Sequence, residues 1–288
     1  LVLADAADFK ANAGIDVSGS SSFTVYAQSI GADMGSLTAT AAEATGDAGI
    51  GSSNGQTAGA ITINGGKITA TGGARTEQDG SGWPDPANEK VYTGAGIGGG
   101  EKSACSTITI NGGIVTASVK GGGYWNESNS AAIGNGGYYV YDYESANQTG
   151  SITINGGTVT AANSYNGAGI GGGMNQPIQS ITINGGNIAA VSEYGAGIGA
   201  GWMGNSGTIS ISGGTIVAES EAGCGIGGGY VSAVQSVTIT GGDITATSDR
   251  GAGIGSCTYQ PTTQVVISGG RVTAISTDGG NGIGVGKY

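Results

Sequence analysis

ITINGGTVTA at residues 152–161, followed by GAGIGGG at 167–173, is the stretch that decides the fold, because this pair of blocks recurs along the chain. Taken alone, GAGIGGG satisfies the G-x-G-x-x-G pattern of a dinucleotide-binding loop. It stands also at 94–100, with close variants in the other units, and the segments after it, such as MNQPIQS at 174–180, carry little helical pattern. A nucleotide loop occurs once, between a strand and a helix. These glycines therefore read as turn and packing residues.

Aligned on the Ile of each G-I step, Ile97, Ile133, Ile170, Ile198, Ile226, Ile254 and Ile283 fall in register, preceded by Ile50 and a degenerate Ile15. The last four intervals are 28, 28, 28 and 29 residues, the period of a solenoid coil. The companion block reads ITINGGKITA at 61–70, ITINGGIVTA at 108–117, ITINGGNIAA at 181–190, ISISGGTIVA at 209–218, VTITGGDITA at 237–246 and VVISGGRVTA at 265–274. Its alternation has period two, so Ile61 and Ile63 share one side of a strand and Thr62 takes the other. The unit is strand, Gly-Gly corner, strand, loop, Gly-rich turn. One coil holds too few aliphatic residues to stand alone, and stacked coils bury a continuous Ile/Val column. After the first strand comes a polar position, Asn64, Asn111, Asn155, Asn184, Ser212, Thr240 and Ser268, which predicts a ladder of side chains bonding one another at a corner.

Composition excludes several classes of function. Of 288 residues 63 are Gly, and the net charge is −11, with no basic surface for a phosphate backbone, so nucleic acid is not an expected partner. His is absent, which removes the commonest general base and transition-metal ligand. Cys105, Cys224 and Cys257 show no C-x-x-C spacing and do not make a disulfide framework. No apolar run approaches a membrane span, so membrane insertion is not expected. No cofactor is called for by the repeat. The calcium-binding Gly-Asp nonapeptide is absent, although the acidic excess leaves bound Ca2+ open.

The combination AGIGGG…ITINGGTVTA, preceded by SSFTVYAQSIGADMGSLTATA at 21–41, resembles the right-handed parallel β-helix repeats of large surface proteins of gut Firmicutes. Those Gram-positive proteins are secreted or wall-anchored and are often labelled as carbohydrate-binding-domain proteins. The resemblance implies an all-β, single-stranded right-handed parallel β-helix of about eight coils, an extracellular location, and a place within a larger multidomain chain. It brings no catalytic residues with it. The expected organisation is one solenoid domain over 1–288: an irregular N-terminal coil or cap at 1–49, coils with long insertions at 50–166, and regular 28-residue coils at 167–288. The chain opens on LVLA and stops at GNGIGVGKY, the beginning of another coil, which fits a polypeptide longer than this one.

Function in a solenoid is expected in its insertions, since the coil is committed to stacking. Three insertions, at 71–93, 118–130 and 134–150, gather Trp83, Tyr92, Tyr124, Trp125, Tyr139, Tyr141 and Tyr143 with several carboxylates. Rings that stack on the C–H faces of sugars, beside polar groups that bond hydroxyls, are what polysaccharide or host-glycan binding requires. The same rings packed against one another inside the loops are the structural alternative. A glycoside hydrolase would draw a carboxylate pair from Asp79, Asp85, Asp142 and Glu144. A second aromatic feature is Met174, Trp202 and Tyr230 in successive turns, with Tyr165 and Tyr194 just before them; it reads either as a binding groove or as an apolar ladder shielding a corner. Thr columns at 62, 109, 153, 182 and 238 and at 69, 116, 160, 245 and 273 raise an ice-binding or purely structural stalk as a further alternative, though β-branched Thr is also the ordinary outward residue of a strand. The expectation from the sequence is a non-catalytic surface or adhesin segment that binds glycan through its inserted loops.

Overall fold

The computed structural model describes residues 1–78, 89–121, 127–138, 149–257 and 264–286. Each turn of the chain lays down three strands, and like strands of successive turns pair in parallel to give three sheets of nine strands each. A representative coil consists of Ile178–Ile183, Asn187–Ser192 and the two-residue strand Ile198–Gly199. From this coil to the next, register is kept residue for residue: Ile181 pairs with Ile209, Ile188 with Ile216, and Ile198 with Ile226. The result is a right-handed parallel β-helix. The ninth strand of each sheet comes from the N-terminus, where Val2–Leu3, Asp8–Ala11 and Ile15–Asp16 pair with Ser22–Ala27, Ser36–Thr40 and Ile50–Gly51 to complete a first turn.

The period-two pattern places every second residue inside. In Asn187–Ser192 exposed and buried residues alternate without a break. Ile61, Ile108, Ile152, Ile181 and Ile209 stack as one fully buried column, and Ile97, Ile133, Ile170, Ile198, Ile226 and Ile254 as another. Each buried Ile contributes about 1.5–3 kcal/mol relative to exposure, but only when a coil lies on both sides. In the last coil Val265, Val272 and Ala274 are partly buried and Ile283 is 49% exposed.

The corners explain the constant blocks of the repeat. At the first, Asn111 Nδ2 donates to Asn64 Oδ1, Asn155 to Asn111 and Asn184 to Asn155, each at 2.7 Å, and Ser212 Oγ donates to Asn184 at 3.0 Å. The expected polar ladder is present over these five coils. At the short third strand the chain pinches: Ala168 N–H donates to Gly172 O at 2.9 Å and Ala196 N–H to Ala200 O at 2.8 Å, with the Ile at the tip pointing inward. The Gly after that Ile has φ of +142° at both Gly171 and Gly199, and a Cβ on Gly171 would lie 1.9 Å from the Gly199 carbonyl oxygen. Only glycine fits there, for conformation and for space.

The first insertion begins and ends as an antiparallel hairpin, Ala74–Gln78 against Glu89–Thr93. The period-two repeat gives no sign of it, since the hairpin is built outside the coil.

Candidate functional site

The pinch determines which side chains meet on the outside. Because the chain folds back at Ile198, residues about four before and four after it emerge side by side. Behind the pinch the chain turns tightly: Gly204 N–H bonds Gly201 O at 3.1 Å and Ser232 N–H bonds Gly229 O at 3.0 Å. The third residue of each turn is left-handed, Met203 at φ 54° and Val231 at φ 57°, as are Lys102 at 59° and Asn175 at 55° in the equivalent turns. This is the pattern of a type II turn; its second residue is buried at Glu101 and Met174 and half-buried at Trp202 and Tyr230.

Tyr194, which precedes the pinch, therefore meets Trp202, which follows it, and Tyr230, which follows the pinch of the next coil, while Tyr165 joins the group through Tyr194. Ring centroids are 5.0 Å apart for Tyr165–Tyr194, 5.9 Å for Tyr194–Trp202, 6.1 Å for Tyr194–Tyr230 and 6.5 Å for Trp202–Tyr230. All four residues are half-buried, so the cluster is backed by the coils and open on its outer side. Their backbones are tied between coils, with Tyr194 N–H donating to Tyr165 O and Tyr230 N–H to Tyr194 O, both at 2.7 Å. Inter-coil bonds from Ser192 Oγ to Gly167 O and Ser220 Oγ to Gly195 O, each 2.7 Å, hold the backing. The indole N–H of Trp202 is buried and meets no acceptor among the described residues, and the four rings stand at 32–76° to one another rather than in one plane.

The rim is acidic. Glu193 and Glu221 occupy successive coils, and Arg250 of the next coil pairs with Glu221. Burial, then the nearby Glu221, pushes the Glu193 carboxyl above its ordinary value, while Arg250 pulls it back. Burial likewise raises Glu127. The Tyr165 phenol is pushed far up by burial, by Tyr194 and by Glu193.

Of the residues expected to bind ligand, Trp83, Tyr124, Trp125, Tyr139, Tyr141 and Tyr143 lie outside the described residues, as do the carboxylates Asp79, Asp85, Asp142 and Glu144. Tyr92 is described. It is 8% exposed, with the Arg75 guanidinium 4.4 Å and the Lys102 ammonium 5.1 Å from its ring centre. Lys102 also stands 4.7 Å from the Tyr138 ring. Beneath them the buried Glu101 carboxylate accepts from Arg75 Nε at 2.8 Å and Nη2 at 3.0 Å, a fork that fixes the root of the first insertion. The roots of all three insertions sit on the edge that carries the aromatic cluster. Tyr165 N–H donates to Ser128 Oγ at 2.7 Å, and Tyr138 N–H to Met174 O at 3.0 Å.

The Thr columns are also in register, Thr69, Thr116 and Thr160 among them, but Ala189 and Val217 come next in the same row and break the hydroxyl array. Among the described residues no group of three or more potential metal-binding side chains converges, and no helix is long and apolar enough to cross a membrane.

Six segments of the chain, residues 108–137, 152–174, 181–202, 209–230, 237–256 and 265–284, match a family model described as a beta helix repeat. The matches fall on successive coils from residue 108 onward and agree with the parallel β-helix of the fold. No curated protein and no solved structure matches it.

Proposed function

We propose that this β-helix is a non-catalytic, extracellular glycan-binding segment, and that its binding surface includes the corner formed by Tyr165, Tyr194, Trp202 and Tyr230. The observation that carries the reading is four half-buried rings gathered along successive coils on a backing that stacking makes rigid. Rings held in this way can take the C–H faces of consecutive sugars at little entropic cost. The flanking Glu193 and Glu221 accept hydroxyl hydrogen bonds and repel anionic chains, which favours neutral polysaccharides over uronates or sulfated ones. The corner continues into the roots of the insertions at Ser128 and Tyr138.

The test is a polysaccharide and glycan-array screen, run with calcium and with chelator, on the wild type and on a Tyr194→Ala/Trp202→Ala variant, with product analysis of every polysaccharide bound. Binding of an intact neutral polysaccharide that the variant loses supports the proposal. Cleavage would replace it with a hydrolase, and absence of binding to every neutral glycan would remove it.

A further inference from the structure

Cys224 stands two residues before Ile226, and Cys257 three residues after Ile254 in the next coil. At these offset places they are on opposite arms of neighbouring pinches, and the fold brings them together. Cys224 N–H closes its own pinch on Gly228 O at 2.8 Å, and Cys257 Sγ reaches the same carbonyl at 3.3 Å. Both side chains are 0% exposed, their Sγ atoms are 2.8 Å apart, and with Ala252 they form a small cluster separate from the main Ile column. Neither thiol is used by the aromatic corner.

We propose that Cys224 and Cys257 are a disulfide-forming pair that staples these two coils together. In the step, both Sγ–H bonds break and one Sγ–Sγ bond forms. Two electrons and two protons pass to a small-molecule disulfide, which leaves as two thiols, through a mixed disulfide with one cysteine that the other resolves. Burial of both sulfurs confines this exchange to the time before the coils dock, so the bond forms during folding and the docked thiols resist later oxidation. Cys105 is an internal control: it is buried on a distant coil, where burial pushes its thiol up to about 12, and it has no cysteine beside it. The proposal does not depend on glycan binding.

The experiment is refolding of the full chain in a mixture of oxidised and reduced glutathione, followed by thiol titration in denaturant and tryptic mapping without reductant. Cleavage after Arg250 separates the two cysteines into Gly121–Arg250 and Gly251–Arg271. The expected result is one titratable thiol instead of three, a mass lower by about 2 Da, and those two peptides joined. Reduction should lower the wild-type Tm by about 5 °C or more and leave a Cys224→Ser/Cys257→Ser variant unmoved. Three titratable thiols with separate peptides, or a cross-link to Cys105, would overturn the pairing.

Discussion

Gly199 and Gly284 occupy equivalent places after the inward Ile of their coils, yet they differ in what lies beyond them. Gly199 has φ +142°, and a Cβ there would sit 1.9 Å from the Gly227 carbonyl oxygen; Gly284 has φ +132°, with nothing nearer than 3.7 Å. Gly199→Ala is thus strained in conformation and blocked by the next coil, while Gly284→Ala meets only the conformational penalty. The expected costs are at least about 4 kcal/mol for the first and about 1–2 kcal/mol for the second, read from urea unfolding midpoints; equal costs would show that coil spacing does not exclude the side chain. A second residue-scale case is Asn135, buried, which accepts from Cys105 N–H at 2.8 Å and donates to Pro177 O at 2.7 Å. Asn135→Ala strands both groups and should cost about 2–4 kcal/mol, against a smaller loss for Asn155→Ala in the exposed ladder. The ladder was legible because Asn recurs at one place in the repeat. Asn135 was not, because it falls in a Gly-rich turn whose other copies hold Gly, Ala, Ser or Val, none of them Asn.

Among the elements, the turn that carries Trp202 and Tyr230 holds strain that sequence reading missed. Its left-handed residue is Lys102, Asn175, Met203 or Val231, so no glycine marks the position. A β-branched residue is poorly suited to it. Val231→Gly is expected to stabilise the protein by about 0.5–1 kcal/mol net of glycine's entropic penalty, as a rise in Tm; a fall would mean that the side chain's packing outweighs the backbone strain. The rim gives a prediction with pH. Glu193 has a folded-state value raised by burial above the ordinary 4.5, so its contribution to stability is fully present below that unfolded value and is lost as pH rises through the folded one. Glu193→Gln should raise the melting temperature slightly at neutral pH and flatten the decline just above pH 4.5. The effect is small because the group is half-exposed and screened. A variant less stable than the wild type at neutral pH would contradict this.

At the scale of the whole molecule, the solenoid followed from the spacing of Ile97 through Ile283 and from the period-two strands, because stacking requires both and nothing else in the sequence competes with them. The candidate site was legible only in part. Met174, Trp202 and Tyr230 could be aligned by counting, but the meeting of Trp202 and Tyr230 with Tyr194 depends on the pinch, a closure between residues four apart that leaves no periodic signal, and Met174 is buried. The insertion aromatics were conspicuous by composition, and of these Tyr92 proves to be buried beneath Arg75 and Lys102. A rigid coil stack accounts for the repeat and would give the proposed binding surface a fixed spacing. The most direct test is the dissociation constant for a bound neutral polysaccharide, measured by affinity electrophoresis for the wild type, Tyr194→Ala/Trp202→Ala and Trp83→Ala/Trp125→Ala, with circular dichroism to verify folding. The corner variant is predicted to stay folded and to weaken binding about tenfold or more. A folded corner variant that binds like the wild type would contradict the assignment of this edge as the binding surface.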